Sequence, residues 1–421
     1  MIDKGYDTEI LSVGTELLLG HVTNTDARDV SEMLSKIGIN VRYHTVVGDN
    51  PERLRRCVEI AKSRADLIVT TGGLGPTEDD LTKETVAASL GDTLVLHEPS
   101  LEAMKERMEM YGRKMTPNNL KQAYLPSTAT PFPNACGTAP GFALEREGKI
   151  IMCFPGPPHE LKDMWERQAL PYLAKYVDGV IYHRMVRTFG IGESALETKL
   201  LDLIDAQTDP TIATYAKPGQ ADVRVASKRK TLEEAKAAVD EMIGKIRERV
   251  GDYIYSEDDE EIYDVLAKRL IRENITLSVA ESMTGGLFAG KITSTSGVSA
   301  VFDRGIVTYT NRAKIDELGV SEDTLKRVDA VSEEVAREMV TGLAKKTGSD
   351  LCLSVTGYAG PGGGTEEAPV GTAFIGCSYK GRTVVHHMMP GPNDNRELNR
   401  NRALLTMASV ALKMLDGKQI H

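Results

Sequence analysis

Two side chains in the C-terminal half of the sequence have the types needed to cleave an amide. Ser282 follows the strand-like run Thr276–Ala280 and precedes a glycine pair, Gly285 and Gly286, that opens a helical segment. Lys314 stands at the start of a later helical segment. A serine hydroxyl attacks a carbonyl when a base takes its proton, and a lysine is such a base once burial or a nearby cation lowers its pKa. The alternatives are a serine that only caps its helix and a lysine on the surface.

Three further elements carry groups that could surround a bound substrate. The strand-like run Gly305–Tyr309 ends in a tyrosine, and Thr356 with Gly357 begins a Gly-rich loop. The hydroxyl and backbone N–H groups of that loop could hold an oxyanion or a phosphate. Arg396 and Arg400, at the start of the last helical segment, suit a 5′-phosphate, although they equally fit a solvated helix face. Because the sequence has no Gly-x-Ser-x-Gly elbow, a lysine rather than a histidine is the expected base.

A loop in the N-terminal part has the residue types expected for a pyrophosphate and a metal ion. The loop 70–80 follows the buried run Asp66–Thr71 and precedes a helix, where doubly wound sheets place their ligands. Asp79 and Asp80 would repel a phosphate unless a divalent cation of the magnesium type lay between them. The alternative is a turn whose acids cap the following helix. The backbone can approach an anion closely at three glycines of the loop, Gly72, Gly73 and Gly75.

The elements that must position these groups alternate between strand-like and helix-like segments at both ends of the chain. Strands alternating with helices predict parallel sheets covered on both faces, and hence an α/β fold. The middle of the chain differs, because the half-exposed strand Val180–Phe189 and the charged amphipathic helix Leu232–Val250 indicate a small α+β domain. We therefore predict two three-layer α/β domains, over residues 1–170 and 256–421, joined by an α+β domain over residues 171–255.

Composition excludes several classes of protein. The 421 residues include 51 Lys plus Arg and 61 Asp plus Glu, a net charge of −10, which argues against direct nucleic-acid binding. Five scattered cysteines form neither a disulfide framework nor a zinc ribbon. The first residues do not resemble a secretory signal, and no apolar run is long enough to span a membrane. The expected location is the cytoplasm.

Several motifs of the first 170 residues come in a recognisable order. They are Gly14-Thr15-Glu16-Leu17-Leu18-Leu19-Gly20, Asn24-Thr25, Gly48-Asp49-Asn50, the loop from Gly72 to Asp80 and the segment from Pro155 to Glu160. Together they resemble the molybdopterin-binding-like domain of the competence/damage-inducible CinA family. Members of that family carry a metal-dependent ADP-ribose pyrophosphatase activity in this domain, and related cofactor-synthesis proteins bind molybdopterin with it.

The resemblance implies roles for individual residues of this domain. Asp79 and Asp80 would be metal-ligating, with Asp80 also catalytic, and Glu16 and Glu160 would complete the ligand set. Thr77 and the loop glycines would contact the substrate. Lys83, one helical turn after Asp79, would be a catalytic cation facing the same phosphate, or else a solvated lysine paired with Asp79.

The C-terminal motifs resemble the nicotinamide-nucleotide amidohydrolase domain of the same family over about residues 256 to 415. The matching motifs are Ala280-Glu281-Ser282-x-Thr284-Gly285-Gly286, Tyr309-x-Asn311-x-x-Lys314, Thr356-Gly357-x-Ala359-Gly360-Pro361 and Pro369-Val370-Gly371-Thr372. Two positions depart from the family, Met283 for a common Cys and Thr310 for a common Ser. Neither position supplies the expected nucleophile or base. Met283 argues against a mechanism based on cysteine at this place.

The resemblance completes the functional prediction. Ser282 would be the nucleophile, Lys314 the base, acting directly or through Tyr309, and Thr356 would lie near the oxyanion. Nicotinamide mononucleotide would be bound by Gly285, Gly286, Gly357 and Arg400, with Arg396 as the second choice of arginine, and no cofactor would be needed. The N-terminal site would use a divalent cation, expected to be magnesium, to hydrolyse ADP-ribose. A homodimer is expected from the family alone. The alternative is a non-catalytic protein that holds a pterin or nucleotide, or that contacts competence partners.

Overall fold

The structure, a computed structural model, describes residues 6–176, 179–217, 219–391 and 395–420. The chain divides into two compact units. The first contains Met1–Tyr182 and Lys228–Ala235, and the second contains His183–Ser227 and Lys236–His421. The boundaries expected at residues 170 and 255 stay predictions. No described helix is both long enough and apolar enough to cross a membrane.

A mixed sheet forms the centre of the first unit. Its strands are β1 (Asp7–Val13), β2 (Asn40–Val47), β3 (Leu67–Thr71), β6 (Thr130–Phe132), β7 (Gly141–Arg146) and β8 (Lys149–Phe154). Two further strands, β4 (Leu94–Leu96) and β5 (Tyr124–Pro126), form a separate two-stranded sheet. The main sheet has the order β2-β1-β3-β8-β7-β6. Its first four strands are parallel, so their carboxyl ends share one edge.

Helices cover both faces of this sheet. They are α1 (Thr15–Leu18), α2 (Thr25–Lys36), α3 (Pro51–Arg64), α4 (Thr82–Ser89), α5 (Glu98–Met110), α6 (Pro158–Met164) and α7 (Leu170–Leu173). Along the fully buried β3, Leu67 and Val69 pack in the core that holds α2 and α6, while Ile68 packs in the core with α3 and α4. Because successive side chains of a strand point to opposite faces, this continuous apolar run requires cover on both sides.

The middle of the chain forms an antiparallel sheet with two helices. The elements are β9 (Val180–Phe189), α8 (Glu193–Asp205), β10 (Thr211–Lys217), β11 (Gln220–Arg229), α9 (Leu232–Val250) and β12 (Ile254–Ser256). The sheet has the order β10-β11-β9-β12. Both the strand and the helix predicted here have the expected bounds.

A second mixed sheet follows, in the second unit. The elements are α10 (Ile262–Glu273), β13 (Leu277–Glu281), α11 (Leu287–Thr293), β14 (Phe302–Val307), α12 (Asn311–Leu318), α13 (Glu322–Val328), α14 (Glu333–Thr347), β15 (Leu351–Gly357), β16 (Ala373–Tyr379), β17 (Arg382–Met388) and α15 (Arg396–Leu415). The order is β14-β13-β15-β16-β17, with the first three strands parallel. Val279 packs in the core with α10 and α15, and Ala280 packs in the core with α14.

The predicted α/β class, with two helix-covered sheets, is confirmed. One strand differs from its expected position by more than a single residue, since β14 covers Phe302–Val307 rather than Gly305–Tyr309. The reason is local, because the hydroxyl of Thr310 accepts a hydrogen bond from the backbone N–H of Ala313 and caps α12. The residues just before that cap therefore leave the strand and form the turn into the helix.

Candidate active sites

Ser282 directly follows the carboxyl end of strand β13, which lies between β14 and β15 in its sheet. Its backbone N–H donates to the carbonyl of Val355 on β15 at 3.1 Å, which ties the residue to the neighbouring strand. Only 7 % of its surface is exposed. The fixed backbone holds the hydroxyl at the end of the sheet where ligands of doubly wound folds bind.

The amine of Lys314 meets that hydroxyl. Lys314 is on the first turn of α12, is 1 % exposed, and its Nζ lies 3.1 Å from Ser282 Oγ. The same nitrogen donates to the carbonyl of Thr308 at 2.9 Å. Burial lowers the pKa of the Lys314 amine to about 8, and the nearby carboxylate of Asp329 acts in the opposite direction. The two residues that the sequence pattern singled out form a serine–lysine pair with an amine suited to take a proton.

Glu281, for which the sequence analysis assigned no role, organises the turn after Ser282. Its carboxylate is 1 % exposed and accepts three backbone hydrogen bonds, from Gly286 at 3.0 Å, Phe288 at 3.1 Å and Ala289 at 2.8 Å. Gly286, the N-cap residue of α11, has no side chain to cap the helix. A carboxylate at the last position of a fully buried strand was the available signal, because buried charges need partners.

Tyr309 lies beside the site but does not bridge the serine and the lysine. It is 56 % exposed, and its hydroxyl accepts a hydrogen bond from Arg396 at 2.9 Å. Arg396 also donates to the carbonyl of Gly360 at 2.7 Å. Since Lys314 reaches Ser282 directly, proton transfer needs no relay through the tyrosine.

Arg400 holds the backbone of the turn after Ser282, residues 283–286, which we call the serine turn. Its guanidinium donates to the carbonyls of Met283 at 3.1 Å and Thr284 at 2.8 Å. The turn bends sharply, with positive φ angles of 62° at Gly285 and 92° at Gly286 that glycine adopts without strain. Part of the guanidinium expected to bind phosphate is therefore engaged by the protein itself.

The structure corrects the expectation for Thr356, at the end of β15. The hydroxyl of Thr356 is buried and donates to the carbonyl of Ala330 at 2.7 Å, so its proton is not available to an oxyanion. At Gly357 there is no room for a side chain, because a Cβ would lie 2.4 Å from Met283 Sδ and 2.6 Å from the Cβ of Ala373. Contact of Gly357 with the substrate stays a prediction.

The N-terminal motifs come together around one open cavity of about 360 Å³. Its lining includes the predicted residues Glu16, Gly72, Gly73, Gly75, Thr77, Asp79, Asp80 and Glu160, and also Asp49. The cavity lies at the carboxyl ends of the parallel strands, as expected for this class of sheet. Asp49 was missed as a lining residue, although it belongs to a quoted motif.

Asp79 and Asp80 are arranged by the threonine of their own loop. The Thr77 hydroxyl lies 2.5 Å from both Asp79 Oδ1 and Asp80 Oδ2, and the Thr77 N–H donates to Asp80 Oδ2 at 2.9 Å. The hydrogen bond from Thr77 holds the pKa of Asp79 below its usual value. Both carboxylates are thereby kept at the cavity, with Asp79 ionised at neutral pH.

Lys83 does not take the expected position. Its side chain is buried on α4, its amine donates to the carbonyl of Lys121, and it does not line the cavity. Burial lowers the pKa of the Lys83 amine to about 8. Lys121 is the cation at the loop instead, donating to the carbonyls of Thr77 at 2.7 Å and Asp80 at 2.6 Å. The expected helical spacing does not hold, because Asp79 lies in the turn before α4, which begins at Thr82.

The cavity fits a divalent cation in one particular way. Among the described residues, no three His, Cys, Asp or Glu side chains lie close enough together to hold one ion. The four-carboxylate set of Glu16, Asp79, Asp80 and Glu160 therefore shares a cavity without forming one coordination shell. Adjacent aspartates with room beside them match the usual habit of Mg²⁺, which takes one or two carboxylates together with phosphate oxygens.

Comparisons with known proteins show which families the three parts of the chain match. Residues 9–175 match the probable molybdopterin binding domain family, residues 183–256 the damage-inducible protein CinA KH domain, and residues 259–417 the CinA C-terminal domain. A relative in Acetivibrio thermocellus that carries the name competence-damage inducible protein is 49 % identical, covering 93 % of this chain and 95 % of its own. A CinA-like protein from Dictyoglomus turgidum is 47 % identical, covering 92 % and 94 %.

A solved structure is also similar in sequence. The competence/damage-inducible protein from Agrobacterium tumefaciens is 40 % identical, with a TM-score of 0.34, covering 38 % of this chain and 96 % of its own. With relatives at nearly half identity over more than nine-tenths of the chain, the protein belongs to the CinA family.

Proposed function

We propose that the Ser282 site is an amidohydrolase that converts nicotinamide mononucleotide and water to nicotinate mononucleotide and ammonia. The observation that carries the proposal is the 3.1 Å contact between a buried serine hydroxyl and a buried lysine amine. A lysine with a pKa near 8 is partly neutral at physiological pH and then accepts a proton. The substrate is taken from the family resemblance, and the geometry supports the reaction class.

The reaction follows from the positions of these groups. Ser282 Oγ bonds to the carboxamide carbon while its proton passes to Lys314 Nζ, and the carbonyl oxygen becomes an oxyanion. Lys314 returns the proton to the leaving nitrogen, the C–N bond breaks, and ammonia departs. Water then hydrolyses the resulting ester, with Lys314 again taking the proton, and Ser282 is regenerated. The guanidinium N–H groups of Arg396 and Arg400 that the loops do not use would bind the 5′-phosphate.

For the N-terminal cavity we propose hydrolysis of ADP-ribose to AMP and ribose 5-phosphate. Asp79 and Asp80 would hold a divalent cation, which supplies charge neutralisation and polarisation of the pyrophosphate. The three loop glycines allow the pyrophosphate to approach the backbone, and Lys121 keeps the loop in place through its two carbonyl contacts. Glu160, held at 2.7 Å by the Asn134 amide, is positioned to orient the attacking water.

A second candidate function for this cavity is binding without turnover. The match to a probable molybdopterin binding domain over residues 9–175 favours a pterin or nucleotide ligand.

Two assays on the full chain test these proposals. Ammonia release from nicotinamide mononucleotide measures the amidohydrolase, and phosphate release from ADP-ribose coupled to a phosphatase measures the pyrophosphatase with and without a chelator. No ammonia above the level of a Ser282→Ala variant would refute the first proposal. Tight ADP-ribose binding without chelator-sensitive phosphate release would favour the binding function.

A further inference from the structure

The backbone hydrogen bonds of the turn after Ser282 show which donors are free to meet a developing oxyanion. Buried backbone N–H groups are nearly always paired with an acceptor, so each N–H group of the turn is either bonded within the protein or free to bind a ligand. The N–H of Ser282 is used by Val355, that of Gly285 by the Ser282 carbonyl, and that of Leu287 by the Thr284 carbonyl. None of these three groups is available to a substrate.

Glu281 uses the donors that would otherwise remain. The start of a helix presents unpaired N–H groups that attract an anion, and α11 begins directly after the turn. Here the carboxylate of Glu281 takes the N–H groups of Gly286, Phe288 and Ala289. The start of α11 is therefore occupied by a buried negative charge and does not serve as an oxyanion site.

Two N–H groups of the turn are left. Within the part of the chain that the structure describes, the N–H groups of Met283 and Thr284 have no acceptor. They directly follow the nucleophile, and the carbonyls of the same two residues are fixed by Arg400. Because the peptide unit is planar, the bond from Arg400 to the Met283 carbonyl sets the direction of the Thr284 N–H. The Met283 N–H shares its peptide unit with the Ser282 carbonyl, which is fixed by the N–H of Gly285.

We propose that Glu281 is a positioning residue of the Ser282 site and that the backbone N–H groups of Met283 and Thr284 are the oxyanion donors. The inference rests on the proposed amidohydrolase function. Glu281 occupies the first N–H groups of α11 and fixes the turn from one side, while Arg400 fixes it from the other. The free pair of donors then meets charge that exists only in the transition state, which raises kcat rather than lowering KM.

Kinetics of Glu281→Gln are the first test. The amide keeps the size of the side chain, but its NH₂ group faces backbone donors instead of accepting from them. We expect kcat for nicotinamide mononucleotide to fall at least tenfold, with KM changed less than threefold. Ser321→Ala is the matched control, since it removes another helix cap of the same unit, a 3.3 Å bond to Thr324, and should leave kcat unchanged. An unchanged kcat in a folded Glu281→Gln variant would overturn the positioning role.

A spectroscopic test is independent of the natural substrate. A fluorophosphonate probe bonds to Ser282 Oγ with loss of fluoride, while the proton passes to Lys314, and its phosphonyl oxygen stands in for the oxyanion. Carbonyl-¹³C serine with ¹⁵N methionine selects the Ser282–Met283 peptide, since Ser–Met occurs once in the sequence. The corresponding Met–Thr labels report Thr284, with Thr116 as an internal reference. We expect downfield proton shifts at Met283 and Thr284 on adduct formation and none at Thr116.

The outcomes separate this inference from the proposed function. Shifts at both residues without ammonia release would support the donors and refute nicotinamide mononucleotide as the substrate. An adduct that leaves both signals in place would overturn the donor assignment even if the amidohydrolase is active. A probe that does not label Ser282 would refute the nucleophile and the donors together.

Discussion

The Ser282 site and the N-terminal cavity both lie at the carboxyl ends of parallel strands, yet they are built in different ways. At Ser282 the reacting groups are buried, and strands, a helix cap and Arg400 fix them before any ligand arrives. At the cavity, Asp79 is exposed on a loop that is held by Thr77 and Lys121. Under the proposed functions, amide cleavage would depend on a preorganised pair, whereas pyrophosphate cleavage would depend on a cation that the substrate helps to bind.

The largest expected effect is at the preorganised pair. Ser282→Ala should lower ammonia release from nicotinamide mononucleotide by at least about a thousandfold, because one member of a catalytic unit accounts for nearly all of its effect. Cleavage of ADP-ribose should not change. The exposed Ser294→Ala is the control. If Ser282→Ala released ammonia at a rate close to that of the wild type, the buried pair would have no catalytic role and the contrast between the two sites would be refuted.

The next largest effect is expected at the cavity. Asp80→Asn should lower ADP-ribose cleavage by at least about a hundredfold, comparable to loss of an electrostatic clamp on phosphate, and a chelator should do the same to the wild type. The matched control is Glu78→Gln, an exposed neighbour in the same loop. Equal losses of both activities in Asp80→Asn would point to a general folding defect and contradict a local metal role.

The pH dependence of the two activities should also differ. With the Lys314 pKa near 8, kcat/KM for ammonia release should rise about tenfold per pH unit below pH 8 and level off above it. The sign is that of a base that must lose its proton before it acts. Rates of cleavage at saturating ADP-ribose should not show this rise below pH 8. A flat profile of ammonia release from pH 6 to 9 would exclude Lys314 as the base.

The smallest effect concerns stability. Lys314→Met replaces a buried amine by an apolar chain of similar length, so it should abolish ammonia release while raising Tm by a few degrees. The folded pKa lies below the usual 10.5, so the cost of burying the charged amine is full below pH 8 and disappears as pH rises to 10.5. The gain in Tm should shrink over that interval. A lower Tm at pH 7 would contradict the burial cost.

The two regions also differ in how far they could be predicted. The Ser282–Lys314 pairing was predictable, because the two residues follow adjacent parallel strands, β13 and β14, and parallel strands end at the same edge of a sheet. The loop 70–80 was predictable for the same reason. The expectation for Lys83 was wrong, since Asp79 lies before the start of α4 and the Lys83 side chain is buried against the carbonyl of Lys121. Thr356 lies at the end of a strand as expected, but its hydroxyl donates to the carbonyl of Ala330. Residue order along the chain does not reveal such a partner.

The sequence by itself determined the α/β class, the residues at the strand ends and the family, because hydrophobic periodicity and ordered motifs are local properties of the chain. The tertiary structure decided which groups are buried together. It lowered the pKa of Lys314, directed Glu281 at the start of α11, and turned Arg400 onto the serine turn. Burial and hydrogen-bond partners depend on residues far apart in the chain. Which backbone N–H groups of the turn after Ser282 remain unpaired is therefore determined only in the folded molecule.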